Sequence, residues 1–186
     1  MAFATMLIPA VGATAASAQS VVPGAMVQSA SLPSAGAVTA FYNTYRSAPM
    51  WFRGGTASPA AGRLVSILKR AQFDGLASGP QLASQVEAAI ARAATGAPAD
   101  VMAAEQMLSA AWVMYVQTLK RPTPRMIYAY SVLSPQNSRP DQILLTAAAA
   151  PSLEAHLQAV SSVNPTYAQI RESAWLQAQA AGTGPE

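Results

Sequence analysis

The chain has 186 residues, 11 basic and 8 acidic side chains, a net charge of +3 and a hydrophobic fraction of 52%. It contains no cysteine, which excludes a disulfide framework, a thiolate nucleophile and sulfur ligation of a metal by this chain. Charged residues make up only 10% of it, with no concentration of Lys and Arg along one face to mark a nucleic-acid surface.

Met1 to Ser20 reads as an export signal. Ala2 to Val11 is an apolar stretch of the right length, and Ala16-Ser17-Ala18 fits a small-x-small cleavage site ahead of Gln19. No Lys or Arg precedes Arg46, so the basic n-region is absent: the true start is expected upstream of Met1, the alternative being that the segment is merely an apolar tail. No other segment reaches the ~18 apolar residues that a membrane span requires. The expected organisation is a signal peptide over 1–18, a flexible tether over 19–35, a helical domain over 36–182 and a tail over 183–186, truncated or free. The expected location is the periplasm.

Alanine supplies much of the apolar fraction, and an Ala-rich chain with few β-branched runs favours closely packed helices. Ser34 is placed to cap a first helix to about Arg46, with Val38, Phe41, Tyr42 and Tyr45 on one face. Residues 41–52 hold five of the chain's thirteen aromatics. Pro49 ends that helix, and Met50, Trp51 and Phe52 form an apolar plug, with Trp51 expected against the helices around Leu68 and Leu108. Arg53-Gly54-Gly55 reads as a loop. Ser58-Pro59 opens a second helix with a capping hydroxyl and a proline in the first turn; Leu64, Ile67, Leu68 and Ala71 share its face, and Phe73-Asp74-Gly75-Leu76 is a turn.

Gly79-Pro80 opens a third helix, closed by Gly96. The fourth is the longest, from about Ala99 to Lys120, with Val101, Ala104, Leu108, Ala111, Trp112, Tyr115 and Leu119 at the spacing of one buried face. Arg121 to Arg139 holds three prolines, with Pro140 directly after it, and reads as a long loop, which in compact domains is usually functional or a docking surface. Its apolar residues must fold back on the core or meet another surface. Arg125, Tyr128 and Tyr130 are its candidate partner contacts. Asp141 to Ala150 is a fifth helix, Leu153, Leu157 and Val160 mark a sixth, and Asn164-Pro165 caps a seventh with Tyr167, Ile170, Ala174 and Ala178 inside. The fold class is all-α: a single irregular helical domain of about six or seven helices with one long Pro-rich loop.

Candidate chemistry is sparse. His156 is the only histidine and has no nucleophile placed against it by any motif, so it reads as a partly exposed helical residue. Asp74, ahead of Gly75, is suited to accept backbone N–H bonds in its turn. Glu105 lies beside the apolar face of the long helix and is expected to hold Arg46 or Arg63. No catalytic, cofactor-binding or metal-binding residue is assigned, and no cofactor is expected.

Four blocks occur in an order that resembles the scaffold domain of periplasmic L,D-transpeptidases. Phe41-Tyr42, Arg46, Pro49 and Trp51 resemble its opening aromatic-Arg-Pro-Trp block. Leu68, Ala71, Asp74, Gly75 and Leu76 are similar to its L-x-x-A-x-x-D-G-L turn. Ala104-Glu105, Leu108, Ala111, Tyr115 and Leu119 resemble its acidic long helix. Leu157, Asn164-Pro165, Tyr167 and Ile170-Arg171 resemble its closing element, with Asn-Pro near the usual proline pair.

In that family a catalytic domain follows, bearing a cysteine nucleophile in a Ser-x-Gly-Cys-type motif and a histidine, and transferring a peptidoglycan stem peptide onto an amine. That motif is missing from this sequence. The resemblance therefore implies the non-catalytic scaffold portion of a cell-wall transferase. Its implied partners are a cysteine L,D-transpeptidase catalytic domain, in cis or in trans, and peptidoglycan. An autonomous periplasmic helical module that docks onto a cell-wall enzyme is the alternative reading.

Overall fold

The computed structural model describes residues 34–45, 48–121, 138–162 and 164–182, with the Pro165 side chain left aside. Seven α-helices and one small hairpin occur among them. In chain order these are α1 (Ala35–Thr44), β1 (Phe52–Arg53), β2 (Thr56–Ala57), α2 (Pro59–Arg70), a 3-10 turn (Ala71–Asp74), α3 (Gly79–Ala93), α4 (Pro98–Leu119), α5 (Pro140–Ala149), α6 (Leu153–Ser161) and α7 (Pro165–Ala180). The all-α reading holds, and the helix boundaries fall within a few residues of the expected ones.

Proline in the first turn marks the start of α2, α3, α4, α5 and α7. There its fixed φ suits the helix and its missing N–H would have had no intrahelical partner. The two Ser caps expected from sequence behave differently. Neither Ser34 nor Ser58 caps its helix through the side chain, and both hydroxyls are buried without a hydrogen-bond partner. Ser58 is instead tied through its backbone, its N–H donating to the Trp51 carbonyl across the hairpin. Asn164 does cap as expected, its Oδ1 accepting the Tyr167 N–H at 2.7 Å.

The segment read as a loop at Arg53-Gly54-Gly55 is a two-residue hairpin turn. Phe52 pairs with Ala57 and Arg53 with Thr56, and Gly54 and Gly55 both take positive φ (57° and 80°), as a type I′ turn requires. The hairpin swings the chain back so that Met50, Trp51 and Phe52 enter the core.

Helix α4 is the centre of the molecule and packs against α1, α2, α3 and α5. The expected stripe understates its burial. Met107, Ser109, Ala110, Val113 and Val116 are buried together with Ala104, Leu108, Ala111, Trp112 and Tyr115, whereas Val101 and Leu119 at its ends are half-buried. A helix apolar on most sides is one that others surround. Helices α2 and α3 meet closely at Gly79, where a Cβ would stand 2.6 Å from the Leu68 carbonyl oxygen and 2.8 Å from the Ala71 Cβ. Only glycine allows that approach.

Candidate functional site

The side chains singled out by sequence converge on two buried polar clusters at different points along α4. The first is built on Glu105, which is fully buried one turn before Ser109. Glu105 Oε1 accepts the Tyr42 hydroxyl at 2.8 Å and the backbone N–H of Met50. The Trp51 N–H is shared between its two oxygens at 3.0 and 3.1 Å. Trp51 Nε1 donates to Ser109 Oγ at 2.9 Å, which lies 2.7 Å from the Tyr42 oxygen. Tyr42 has one hydroxyl proton and spends it on Glu105, so Ser109 donates to Tyr42. The result is a directed chain, Trp51 to Ser109 to Tyr42 to Glu105, that ties α1 and the aromatic plug to the central helix.

Glu105 thus plays a different part from the ion pair expected with Arg63, which lies exposed on α2. The carboxylate takes up peptide N–H groups that the bend at Met50 and Trp51 withholds from any ladder, and a buried N–H needs an acceptor. Arg46 lies outside the described residues.

The second cluster is built on Asp74, whose side chain is 1% exposed. Its oxygens accept the hydroxyls of Tyr115 at 2.8 Å and Tyr167 at 3.1 Å, and Arg171 Nη1 at 3.1 and 3.2 Å. Arg171 Nη1 also donates to the Ser161 carbonyl at 3.1 Å, and the one Tyr167 hydroxyl proton is shared between Asp74 and the Phe73 carbonyl, 3.0 Å away. Asp74 was expected to accept backbone N–H bonds in its own turn. The left-handed Gly75 (φ 91°) caps the turn through its own N–H instead, which leaves the carboxylate for three side chains from α4 and α7.

These bonds hold α7. No residue from 166 to 180 is fully buried, and Ile170, expected inside, is 63% exposed. Arg171 and Tyr167 take the inward face, with Arg70 paired to Glu172 at 2.6 Å and its guanidinium 5.2 Å over the Trp175 ring. Helix α7 is fixed by polar and aromatic contacts rather than by an apolar stripe.

Burial, and next the Asp74 charge, raise the Tyr115 hydroxyl far above its usual value, and the same causes raise Tyr167. The unfolded chain releases such protons near pH 10 while the folded chain retains them. Above that pH the unfolded state binds fewer protons, so stability is complete below about pH 10 and falls as pH rises through it. Tyr115→Phe is expected to cost about 1–3 kcal/mol at neutral pH by removing a donor from Asp74, and to flatten this alkaline decline. Denaturation midpoints measured on either side of pH 10 check it; an unchanged alkaline slope would separate the decline from Tyr115.

All four carboxylate oxygens of Asp74 and Glu105 accept hydrogen bonds from the protein, an arrangement that braces helices rather than presents an acid or a base. No group of three or more His, Asp and Glu among the described residues could hold a metal ion. Of the other signature residues, Phe41 and Trp51 are buried and Gly75 is exposed, as is Pro49 at the bend before the plug; Pro165 opens α7. Arg125, Tyr128 and Tyr130 lie outside the described residues. Ser109 and Ser161, which join the clusters through a hydroxyl and a carbonyl, were missed. Ser109 stands one turn after Glu105 on the buried side of α4, a position that could have drawn attention to it.

A family model described as a scaffold domain matches residues 36–173, the stretch that contains both clusters. The chain belongs to the Scaffold domain family. The match begins in α1 and ends inside α7, so it takes in all of α2 to α6, part of α1 and of α7, and both polar clusters. No curated protein and no solved structure matches the chain. No helix among the described residues is long and apolar enough to cross a membrane.

Proposed function

We propose that this scaffold domain is the non-catalytic part of a peptidoglycan L,D-transpeptidase, exported to the periplasm by the segment 1–18 and tethered through 19–35. In this reading it holds a cysteine catalytic domain, in cis or in trans, in position for cell-wall cross-linking or remodelling. The supporting observation is the agreement between the family match over residues 36–173 and the four ordered blocks, whose polar members Tyr42, Asp74, Glu105, Tyr115, Tyr167 and Arg171 meet in two buried clusters. A framework braced around its carboxylates, in a chain with no cysteine, suits a part that positions chemistry done elsewhere.

The chain alone is expected to leave muropeptides unchanged by mass spectrometry, and to co-elute with a separately expressed cysteine catalytic domain. The contact is assigned to Tyr128 and Tyr130, with Arg125 at the rim, since apolar aromatic anchors with a basic edge favour an interface. Tyr128→Ser with Tyr130→Ser should weaken that association about tenfold or more, as losing two interface anchors does, and leave the melting temperature nearly unchanged. Transfer or cleavage products from the chain alone, or no association with the catalytic domain, would overturn the reading.

A further inference from the structure

Each of α1 to α6 buries at least one apolar side chain, whereas α7 buries none among the described residues. A helix without a fully buried apolar residue forgoes most of the main favourable contribution to folding. Elements with few buried apolar contacts are the ones that open at a lower free energy than the core.

Directional contacts hold α7 instead. Arg171, with a side chain 16% exposed, reaches both Asp74 oxygens and the Ser161 carbonyl. The Tyr167 hydroxyl lies between Asp74 Oδ1 and the Phe73 carbonyl. Farther along, the half-buried Trp175 stands edge-on to Phe73, ring centres 6.3 Å apart, under the Arg70 guanidinium. Hydrogen bonds weaken steeply with distance and angle, so bonds that converge on one carboxylate are lost together once the helix moves.

We propose that α7 is a releasable clasp, which lifts from the six-helix body as one unit while the body stays folded. Lifting uncovers the Asp74 carboxylate and the Phe73 ring. Both sides tolerate the separation. Asp74 Oδ2 keeps the Tyr115 hydroxyl, which comes from α4, while Oδ1 and the Phe73 and Ser161 carbonyls pass to water, so no buried acceptor is left unmet. Helix α7 carries its own cap, with Asn164 Oδ1 on the Tyr167 N–H, so its first turn does not depend on the body. The clasp is independent of the scaffold reading, because it needs no catalytic domain and no cell-wall partner.

The test is native-state hydrogen exchange on the full chain, read by mass spectrometry at urea concentrations below the unfolding transition. Amides of residues 168–180 are expected to exchange about a hundredfold or more faster than those of 104–116, yet about tenfold or more slower than an unstructured chain, as a sub-global unit does. Their exchange should also depend less steeply on urea, because opening α7 exposes less surface than unfolding the domain. Arg171→Met should speed the α7 amides by about a further tenfold, the usual scale for one charge-assisted contact, and leave the α4 amides unchanged. Arg171→Lys, which keeps the charge, should speed them less. Three results would overturn the proposal: α7 and α4 amides exchanging at one rate with one urea dependence, α7 amides as fast as an unstructured chain, or Arg171→Met speeding both helices alike or unfolding the chain.

Discussion

Trp51→Ala is expected to lower stability by about 3–5 kcal/mol, the range for removing a large aromatic side chain from a packed core. The residue is fully buried, between Met50 and Phe52 that are also buried, and its indole N–H is satisfied by Ser109. The substitution therefore opens a cavity and strands the first link of the Ser109–Tyr42–Glu105 chain. The comparison variant Trp51→Phe keeps the larger part of the apolar area but loses the N–H and the pyrrole part of the ring, so a smaller loss of about 1–3 kcal/mol is expected for it. Urea denaturation at constant slope reads both. An unchanged midpoint for Trp51→Ala would place the ring at a surface and remove it from the core.

Glu105→Ala is expected to be as damaging, about 3–5 kcal/mol, by another route. Its side chain is the acceptor for the Met50 and Trp51 N–H groups and the Tyr42 hydroxyl, and each buried donor left unmatched costs about 1–3 kcal/mol before the structure relaxes. Glu105→Gln keeps the shape but turns one acceptor into a donor facing the Trp51 N–H, so it should fall between wild type and alanine. Because Trp51 and Glu105 touch, the double variant Trp51→Ala with Glu105→Ala should lose less than the two single losses combined. Simple additivity would mean that the two groups act separately and that the cluster is not a unit.

These two predictions separate local from long-range information. The neighbours of Trp51 alone place it in the interior, because an aromatic plug after a proline has little else to do in a helical domain. The hydrogen bonds that Glu105 accepts from Tyr42 and Trp51 are not legible in the sequence, because those partners lie more than fifty positions away. The same holds for Asp74. Its turn was legible from Asp74-Gly75, but its three donors come from α4 and α7. The hairpin escaped notice because strands of two residues show no alternation, although adjacent glycines before a Thr-Ala pair are a hairpin signal that could have been followed. Ile170 was placed inside by its spacing, yet α7 turns Tyr167 and Arg171 inward because the Asp74 carboxylate offers them charge-assisted bonds.

Composition and local pattern suffice for the helical class, the approximate helix limits and the lack of any thiol in this chain. Apolar spacing, proline at helix starts and composition are local properties, readable within a few turns. Long-range packing sets which carboxylate meets which donor and leaves α4 surrounded rather than half-exposed. Those outcomes depend on how helices distant in the chain pack together. Periodicity shows that a face is buried, whereas the partner that buries it is selected by the packing of the whole domain.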